Sequence, residues 1–227
     1  MPTVIVTGAN RGIGLELARQ YQAEGWRVIG TARRPEQAAE LRATGAELRQ
    51  LDTGNANSIY AFAHGFGVQP IDLLINNAGI MGPDQPRQSR DGIDAEGWAE
   101  TMRVNALGPV LVTLALKENL ARSANPRAVT ISTALGSLAD NTSGGLYAYR
   151  MSKAAVNMGN RSLAADLRDR RICCVVVHPG WVRTDMGGGQ APLTPADSVT
   201  GIRRVVAGLT LEQSGRFLAY DGAELAW

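Results

Sequence analysis

The chain has 227 residues, enough for a substantial core, and its 44% apolar and 19% charged residues are ordinary for a globular protein. The formal net charge of +2 is too small to favour nucleic acid or an anionic membrane surface as a partner. No apolar run approaches the roughly 18 residues of a membrane helix, and the first residues lack a signal-peptide pattern, so we expect a cytoplasmic protein.

Short β-branched segments alternate with segments of helical periodicity along the whole chain. The predicted strands are Thr3–Thr7, Arg27–Ala32, Glu47–Asp52, Leu73–Asn76, Ala128–Thr133, Ile172–His178 and Phe217–Ala219. The predicted helices are one with Ile13, Leu17, Ala18 and Tyr21 on one face, followed by Pro35–Thr44, Asn57–Gly65, Ala95–Arg122, Tyr149–Asp169 and Pro195–Ala207. The strands are apolar on both faces, as parallel strands between helices are. The pattern predicts one doubly wound (Rossmann) α/β domain over 1–227, with a mostly parallel seven-stranded sheet and helices on both faces.

Three irregular segments, 80–97, 134–148 and 184–194, follow the carboxyl ends of predicted strands. Ligands of open α/β sheets bind at that edge, so we expect these loops to hold the substrate. The side chains expected to make the substrate wall mainly apolar are Leu135, Leu138, Leu146, Trp181 and Met186.

The first predicted turn between a strand and a helix is rich in glycine, with Gly8, Gly12 and Gly14 in a Gly-x-x-x-Gly-x-Gly spacing. Free N–H groups at the helix N-terminus suit a pyrophosphate, and glycine lets the backbone come close to it. A tight turn without a ligand is the alternative, but its place after the first strand favours a dinucleotide. The turn lacks the Gly-Lys-Ser/Thr of a P-loop. Its candidate binding residues are Gly8, Asn10, Arg11, Gly12, Ile13 and Gly14.

The end of the second predicted strand carries arginine instead of an acidic residue, in the order Ala32-Arg33-Arg34. An acid there would bind the ribose 2′-hydroxyl of NAD, whereas arginine can hold the 2′-phosphate of NADP. Arg11 could add a second positive charge. We therefore favour NADP(H), with NAD(H) still possible, and Arg33 and Arg34 could instead be solvated surface charges.

Polar residues also follow the third and fourth predicted strands. Asp52, followed by Thr53, could accept a hydrogen bond from the adenine amino group, or it could serve as a turn residue. The amides of Asn76-Asn77, followed by Ala78 and Gly79, could tie neighbouring strands together and leave a surface for a ribose. A plain turn is the alternative for the second segment.

Tyr149 and Lys153 lie four residues apart at the start of a predicted helix, so their side chains share one face. A tyrosine with a pKa near 10 is a poor acid–base at neutral pH, and a nearby ammonium would lower that pKa. The spacing alone is often structural. However, only Lys117 and Lys153 among the 23 basic residues are lysines, which favours a specific use of Lys153.

The two cysteines and the two histidines suggest neither a disulfide nor a metal site. Cys173 and Cys174 are adjacent in a predicted strand, so their thiols should lie on opposite faces as small core residues. The only histidines, His64 and His178, stand alone.

Taken in order, these motifs resemble the short-chain dehydrogenase/reductase family over nearly the whole chain. The matching residues are Thr7-Gly8-x-x-x-Gly12-Ile13-Gly14, Asn76-Asn77-Ala78-Gly79, Asn105, the Tyr149/Lys153 pair and Pro179-Gly180-x-Val182-x-Thr184. Within the family, the segments 139–145 and 220–227 are most similar to small carbonyl reductases of the sniffer and C-factor type.

The resemblance implies roles for these residues. Tyr149 would be the general acid–base, Lys153 would hold the nicotinamide ribose and lower the phenol pKa, and Asn105 would position a water in the proton relay. The segment lining the nicotinamide would be Pro179, Gly180, Val182 and Thr184, with Thr184 near the carboxamide. The family's carbonyl-polarising serine would be replaced by Thr133, with Ser132 and Ser137 as alternatives.

These roles describe an NADP(H)-dependent oxidoreductase acting on a small ketone, aldehyde or alcohol. A cofactor-binding sensor with little turnover is the alternative. A methyltransferase is disfavoured by the Tyr149/Lys153 pair, and an epimerase is disfavoured by the short segment after the sixth predicted strand. The helices near Asn105 and Tyr149 form the subunit interface in many relatives, so the resemblance also implies a homodimer or homotetramer.

Overall fold

Seven strands assemble into one parallel sheet in the computed structural model, which describes residues 1–227. They are β1 (Thr3–Val6), β2 (Arg27–Ala32), β3 (Glu47–Gln50), β4 (Leu73–Asn76), β7 (Arg127–Ile131), β8 (Cys173–His178) and β9 (Phe217–Ala219), in the order β3-β2-β1-β4-β7-β8-β9. Every neighbouring pair in the sheet is parallel. The predicted single-domain Rossmann fold is therefore confirmed.

Helices cover both faces of the sheet. They are α1 (Gly12–Ala23), α2 (Ala39–Ala43), α3 (Ala56–Phe66), α4 (Ala95–Met102), α5 (Gly108–Ala115), α6 (Lys117–Leu120), α7 (Tyr147–Asp166) and α8 (Pro195–Ala207). Each face has its own apolar core, and the adjacent Cys173 and Cys174 belong to different cores as free thiols, as the strand alternation predicted. No helix combines the length and the apolar character needed to cross a membrane.

The helix predicted over Ala95–Arg122 is helical over most of its length, but it is not one regular α-helix, because it consists of α4, a π-helical turn (Arg103–Leu107), α5 and α6. Pro109 has no N–H to bond to the carbonyl of Asn105, as a regular α-helix would require. The backbone widens, and the N–H of Gly108 reaches the carbonyl of Arg103, five residues back. Asn105 lies in this widened turn, and such π-bulges occur often at functional sites.

Other predicted boundaries differ by a few residues. Thr7 and Asp52 lie just beyond their strands, and Ser132 and Thr133 follow the end of β7. The helix predicted over Pro35–Thr44 is a 3-10 turn (Pro35–Gln37) followed by α2, and α7 runs from Tyr147 to Asp166 instead of from Tyr149 to Asp169. The loop 80–97 was expected to be irregular, but it contains a two-stranded hairpin of β5 (Gln88–Ser89) and β6 (Gly92–Ile93).

The strand order places a switch point between β1 and β4, because the chain leaves β1 towards β2 and β3 and later returns to its other side at β4. A crevice forms at the carboxyl ends of strands on either side of such a point. The glycine turn after β1 and the Asn76–Gly79 segment after β4 both lie at this crevice.

Candidate active site

The glycine turn between β1 and α1 has a backbone that only glycine can follow closely. Gly8 and Gly12 have φ of +63° and +56°, in the left-handed region that favours glycine. A Cβ on Gly8 would lie 2.9 Å from Cα of Ala78, and one on Gly14 would lie 2.3 Å from the Gly8 oxygen. The turn is thus pressed against the segment that follows β4, with no room for side chains between them.

The first turn of α1 offers unused hydrogen-bond donors to the crevice. Arg11 is the N-cap residue in an extended conformation, and its side chain makes no capping bond. The N–H groups of Gly12, Ile13 and Gly14 donate to no protein acceptor. A glycine cradle with free donors and the positive end of a helix dipole fits the pyrophosphate of a dinucleotide.

Asn77 joins the segment after β4 to the glycine turn. Its Nδ2 donates to the carbonyls of Thr7 and Gly8, at 2.9 and 3.1 Å. In return, the Thr7 hydroxyl accepts from the N–H groups of Asn77 and Ala78, both at 3.0 Å. Asn76 donates instead to Thr113 on α5, at 2.9 Å. Asn77 therefore ties the ends of the neighbouring strands β1 and β4 together, as one of the sequence interpretations expected, whereas Asn76 ties β4 to α5.

The basic residues at the crevice differ from the expected arrangement in one respect. Arg33, directly after β2, is exposed and makes no ion pair, so its guanidinium is free to bind an anion. Arg11, expected to add a second charge, has Nη1 2.9 Å from a carboxylate oxygen of Asp185. Both side chains of this pair are exposed, so the pair is worth little in stability.

One carboxylate oxygen of Asp52, which follows β3, stabilises a turn, as one of the two sequence interpretations expected. Its Oδ1 accepts from the N–H of Gly54 at 2.9 Å, whereas its Oδ2 has no partner in the protein. Thr53 is buried beneath α5, where a Cβ on Gly108 would lie 2.5 Å from the Thr53 carbonyl oxygen.

Tyr149 and Lys153 lie on α7 with their side chains buried, and the exposed fractions of the two residues are 7% and 6%. The Lys153 Nζ is 6.0 Å from the centre of the Tyr149 ring and donates to the carbonyl of Ile131 at 3.0 Å. The Cβ position on Gly79 lies 3.3 Å from Oδ1 of Asn105 and 3.7 Å from this Nζ. The structure thus brings Lys153, Asn105 and the segment after β4 together.

Burial shifts the proton affinities of the pair in opposite directions. It raises the pKa of the Tyr149 phenol to about 12 and lowers the pKa of Lys153 to about 8. We expected the Lys153 ammonium to lower the phenol pKa, but the loss of water around Tyr149 has the larger effect. The protein's own groups therefore leave Tyr149 a weaker acid than a free tyrosine.

Asn105 is held by three hydrogen bonds within the protein. Its Nδ2 donates to the Ile80 carbonyl at 2.8 Å and to the Ser152 hydroxyl at 3.0 Å, and its Oδ1 accepts from the Ile80 N–H at 2.8 Å. Ser152 in turn donates to the Tyr149 carbonyl at 2.7 Å. Sequence reasoning assigned no role to Ser152, although a serine three residues after Tyr149 can bond back to that carbonyl.

Three hydroxyl side chains follow β7, those of Ser132, Thr133 and Ser137. Only the Thr133 hydroxyl donates no hydrogen bond within the protein. Ser132 is buried and donates to Oδ1 of Asn157 at 2.7 Å, and Ser137 donates to the Trp227 carbonyl at 3.1 Å. Thr133 is half-buried, and its oxygen accepts from the N–H of Leu135 at 3.2 Å.

The segment after β8 crosses the crevice from the glycine turn to Tyr149. It starts at Pro179, whose carbonyl accepts from Ser198 at 2.6 Å, and at Gly180, which has φ of +82°. Val182 is buried and forms a bridge with Leu193. The Thr184 methyl lies 3.4 Å from the Cβ position of Gly12, and Sδ of Met186 lies 3.9 Å from the Tyr149 hydroxyl. Thr184 therefore lies beside the glycine turn, and Met186 contacts Tyr149.

Comparison with known proteins gives one consistent family. Residues 2–192 match the sequence model of the short chain dehydrogenases. The C-signal protein of Myxococcus xanthus is 48% identical over 167 residues, which span 74% of this chain and 99% of that protein. Among solved structures, the carbonyl reductase Sniffer of D. melanogaster has a TM-score of 0.92 and 33% identity over the full length of both chains. The NADPH-bound carbonyl reductase from chicken fatty liver has the same TM-score and 32% identity, covering 100% and 99% of the two chains.

Proposed function

This chain belongs to the short-chain dehydrogenase family and is an oxidoreductase, and we propose that it interconverts small ketones or aldehydes and their alcohols with NADP(H). One observation carries the proposal. A glycine turn with three unused N–H donors and the buried Tyr149/Lys153 pair meet at the same edge of the sheet. Family membership alone would not require both halves of the site to be intact.

The bound dinucleotide would supply or accept the hydride and would carry a positive charge in its oxidised form. The N–H groups of the glycine turn would hold the pyrophosphate, Arg33 would hold the 2′-phosphate, and Lys153 would hold the nicotinamide ribose. The other proposed cofactor-binding residues are Gly8, Asn10, Arg11, Gly12, Ile13, Gly14, Asp52, Thr53, Asn77, Ala78, Gly79, Tyr149, Pro179, Gly180, Val182 and Thr184.

The proton transfer would fall to Tyr149, whose hydroxyl would donate to the carbonyl oxygen as it gains negative charge. Thr133 would donate a second hydrogen bond to that oxygen, because its proton has no acceptor within the protein. Lys153 would stabilise the phenolate that remains. Asn105 would act through the Ser152 bond that fixes the backbone of Tyr149.

Arg33→Ala should weaken NADPH binding by about tenfold to a hundredfold and leave NADH binding nearly unchanged, because a charge-assisted bond to the 2′-phosphate is worth about 1.5–3 kcal/mol. Fluorescence titration of both dinucleotides measures this difference. Arg34→Ala, which removes the neighbouring exposed arginine, is the matched control. Equal losses for NADPH and NADH would contradict the assignment of Arg33 to the phosphate.

The substrate would be a small carbonyl compound held by the loops 80–97, 134–148 and 184–194. Apolar side chains are exposed in these loops, at Leu138 and Met186, and at Trp181 just before the third loop. NADPH oxidation across a panel of aldehydes, diketones and quinones tests the proposal. Complete inactivity with intact NADPH binding would favour a cofactor-bound signalling protein, the role suggested by the name of the C-signal relative.

We also propose a homodimer or homotetramer that uses α5 and α7. Leu107 and Leu114 are exposed about two helical turns apart, and so are Met151 and Met158 on α7. Exposed apolar rows on adjacent helices favour an interface between copies of the chain. Light scattering after size exclusion measures the assembly, and Met158→Glu should reduce its mass.

A further inference from the structure

Gln88 is a polar residue that is almost completely buried, although it lies in the loop between β4 and α4. Its exposed fraction is 1%. The carboxamide nitrogen donates to the carbonyls of Met81, at 3.2 Å, and Pro83. Its oxygen accepts from the backbone N–H of Tyr149 at 3.1 Å, across 61 residues of sequence. The Gln88 side chain therefore links the proposed substrate loop to the backbone of the proposed acid–base residue.

The helix that carries Tyr149 begins without a local cap. The N-cap position of α7 is Leu146, whose side chain cannot accept a hydrogen bond and whose φ of 48° is unusual for a bulky residue. Tyr149 is the third residue of this helix, and its N–H is one that an N-cap side chain would ordinarily satisfy. Gln88 supplies the acceptor that Leu146 lacks.

The two backbone groups of Tyr149 are thus held by side chains from different elements. Gln88 accepts from its N–H, and Ser152 donates to its carbonyl at 2.7 Å while bonded to Asn105. Both supports depend on the chain that leaves β4, because Asn105 is itself bonded to Ile80 and Gln88 to Met81. The direction in which the phenol points is therefore set by this segment as well as by α7.

We propose that Gln88 is a positioning residue for proton transfer: its carboxamide caps α7 at Tyr149 and holds the phenol at its reacting position. The proposal rests on the proposed function of Tyr149. Loss of the cap frays the first turn of α7, and the phenol then spends less time beside Lys153. Misplacement of a reacting group by about 1 Å can cost about a hundredfold in rate.

Gln88→Leu removes the three hydrogen bonds of the carboxamide and replaces it with an apolar side chain of similar size. The matched control is Gln85→Leu in the same loop, because Gln85 is exposed and its side chain makes no hydrogen bond. We expect amide hydrogen exchange at Tyr149 to become at least about tenfold faster in Gln88→Leu and to stay unchanged in the control. Exchange in α3, on a separate part of the sheet, reports any global loss of stability.

The kinetic result expected for Gln88→Leu is a fall in kcat of about tenfold to a hundredfold, with the KM for NADPH within about twofold. In alcohol oxidation, the ionisation that governs kcat should shift in pH relative to the wild type, because displacement of the phenol changes both its burial and its distance from Lys153. A purely structural role would lower kcat equally at every pH by reducing the folded fraction.

Gln88→Glu is the second variant, since it keeps an acceptor for the Tyr149 N–H at the helix N-terminus but replaces the donor to the Met81 and Pro83 carbonyls by an oxygen, and so separates the cap from the link to the loop. It should retain most of the exchange protection at Tyr149. Unchanged exchange at Tyr149 in Gln88→Leu, or a uniform fall in kcat without a shift in the pH profile, would overturn the proposal. Absence of turnover in the wild type would refute the proposed function alone, since the exchange measurement needs no substrate.

Discussion

Tyr149→Phe should lower kcat for carbonyl reduction by about 10³-fold and leave NADPH binding within about twofold. The substitution removes only the hydroxyl that would give its proton to the carbonyl oxygen. The buried ring remains in place, and the only hydrogen bond of the hydroxyl within the protein is a weak one to Sδ of Met186 at 3.9 Å. No buried partner is left unsatisfied, so we expect the free energy of unfolding to change by less than about 1 kcal/mol.

Steady-state NADPH oxidation and NADPH fluorescence titration, performed on the same preparation, separate the two effects of Tyr149→Phe. Tyr60→Phe is the control, because Tyr60 is exposed on α3, outside the proposed site, and its side chain makes no hydrogen bond. Turnover of Tyr149→Phe within about tenfold of the wild type would remove Tyr149 from the proposed chemistry. Loss of NADPH binding would instead show that the hydroxyl holds the cofactor.

Lys153→Met should lower kcat by about 10²–10³-fold, because the phenolate loses its nearby positive charge. The same substitution should stabilise the protein at pH 7. The pKa of Lys153 is about 8 in the folded protein against an ordinary lysine pKa of 10.5, so below pH 8 the fold carries the full cost of burying the ammonium. That cost is about 3 kcal/mol, and the Ile131 carbonyl left without a donor offsets about 1 kcal/mol of the gain.

The difference in stability between the wild type and Lys153→Met depends on pH, because the folded and unfolded chains bind different numbers of protons at Lys153. Between pH 8 and 10.5 the unfolded chain binds more protons at Lys153 than the folded chain does, so wild-type stability rises with pH relative to Lys153→Met. The advantage of the variant should therefore shrink across this window. Urea unfolding of both proteins at pH 7 and pH 10 measures the change, and a gap that widens with pH would contradict the burial argument.

The fold could be predicted from local patterns, because most strands are short apolar runs and the glycine turn and the Asn76–Gly79 segment each follow a strand. The polar strand β3 (Glu47–Gln50) is the exception. The interruption of the helix predicted over Ala95–Arg122 also had a local signal in Gly108-Pro109, since proline removes one helical hydrogen bond. The helical periodicity on both sides of this pair predicts an uninterrupted helix, so the sequence does not predict the π-helical turn that holds Asn105.

The parts of the site that sequence could not provide depend on contacts between distant segments. Nothing about Gln88 distinguishes it from other loop glutamines until the fold places it against the N–H of Tyr149. The pairing of Arg11 with Asp185 joins residues 174 positions apart. The phenol pKa likewise depends on how completely Tyr149 is buried, which a four-residue spacing does not reveal.

We propose that positive charge lowers the pKa of the Tyr149 phenol from about 12 into a range in which it can exchange protons near neutral pH. A unit charge at about 5 Å, in an effective dielectric of about 20, contributes about 3 kcal/mol, or roughly two pKa units. Lys153 alone does not overcome burial in the protein's own structure. The oxidised dinucleotide would add the second charge.

Titration of the phenolate absorbance in the presence of saturating NADP⁺, as the difference between wild type and Tyr149→Phe, tests this claim most directly. We expect one ionisation below 10, the ordinary pKa of tyrosine, and we expect Lys153→Met to move it upwards. A phenol that still titrates at or above 10 with the dinucleotide bound would contradict the assignment of Tyr149 as the acid–base.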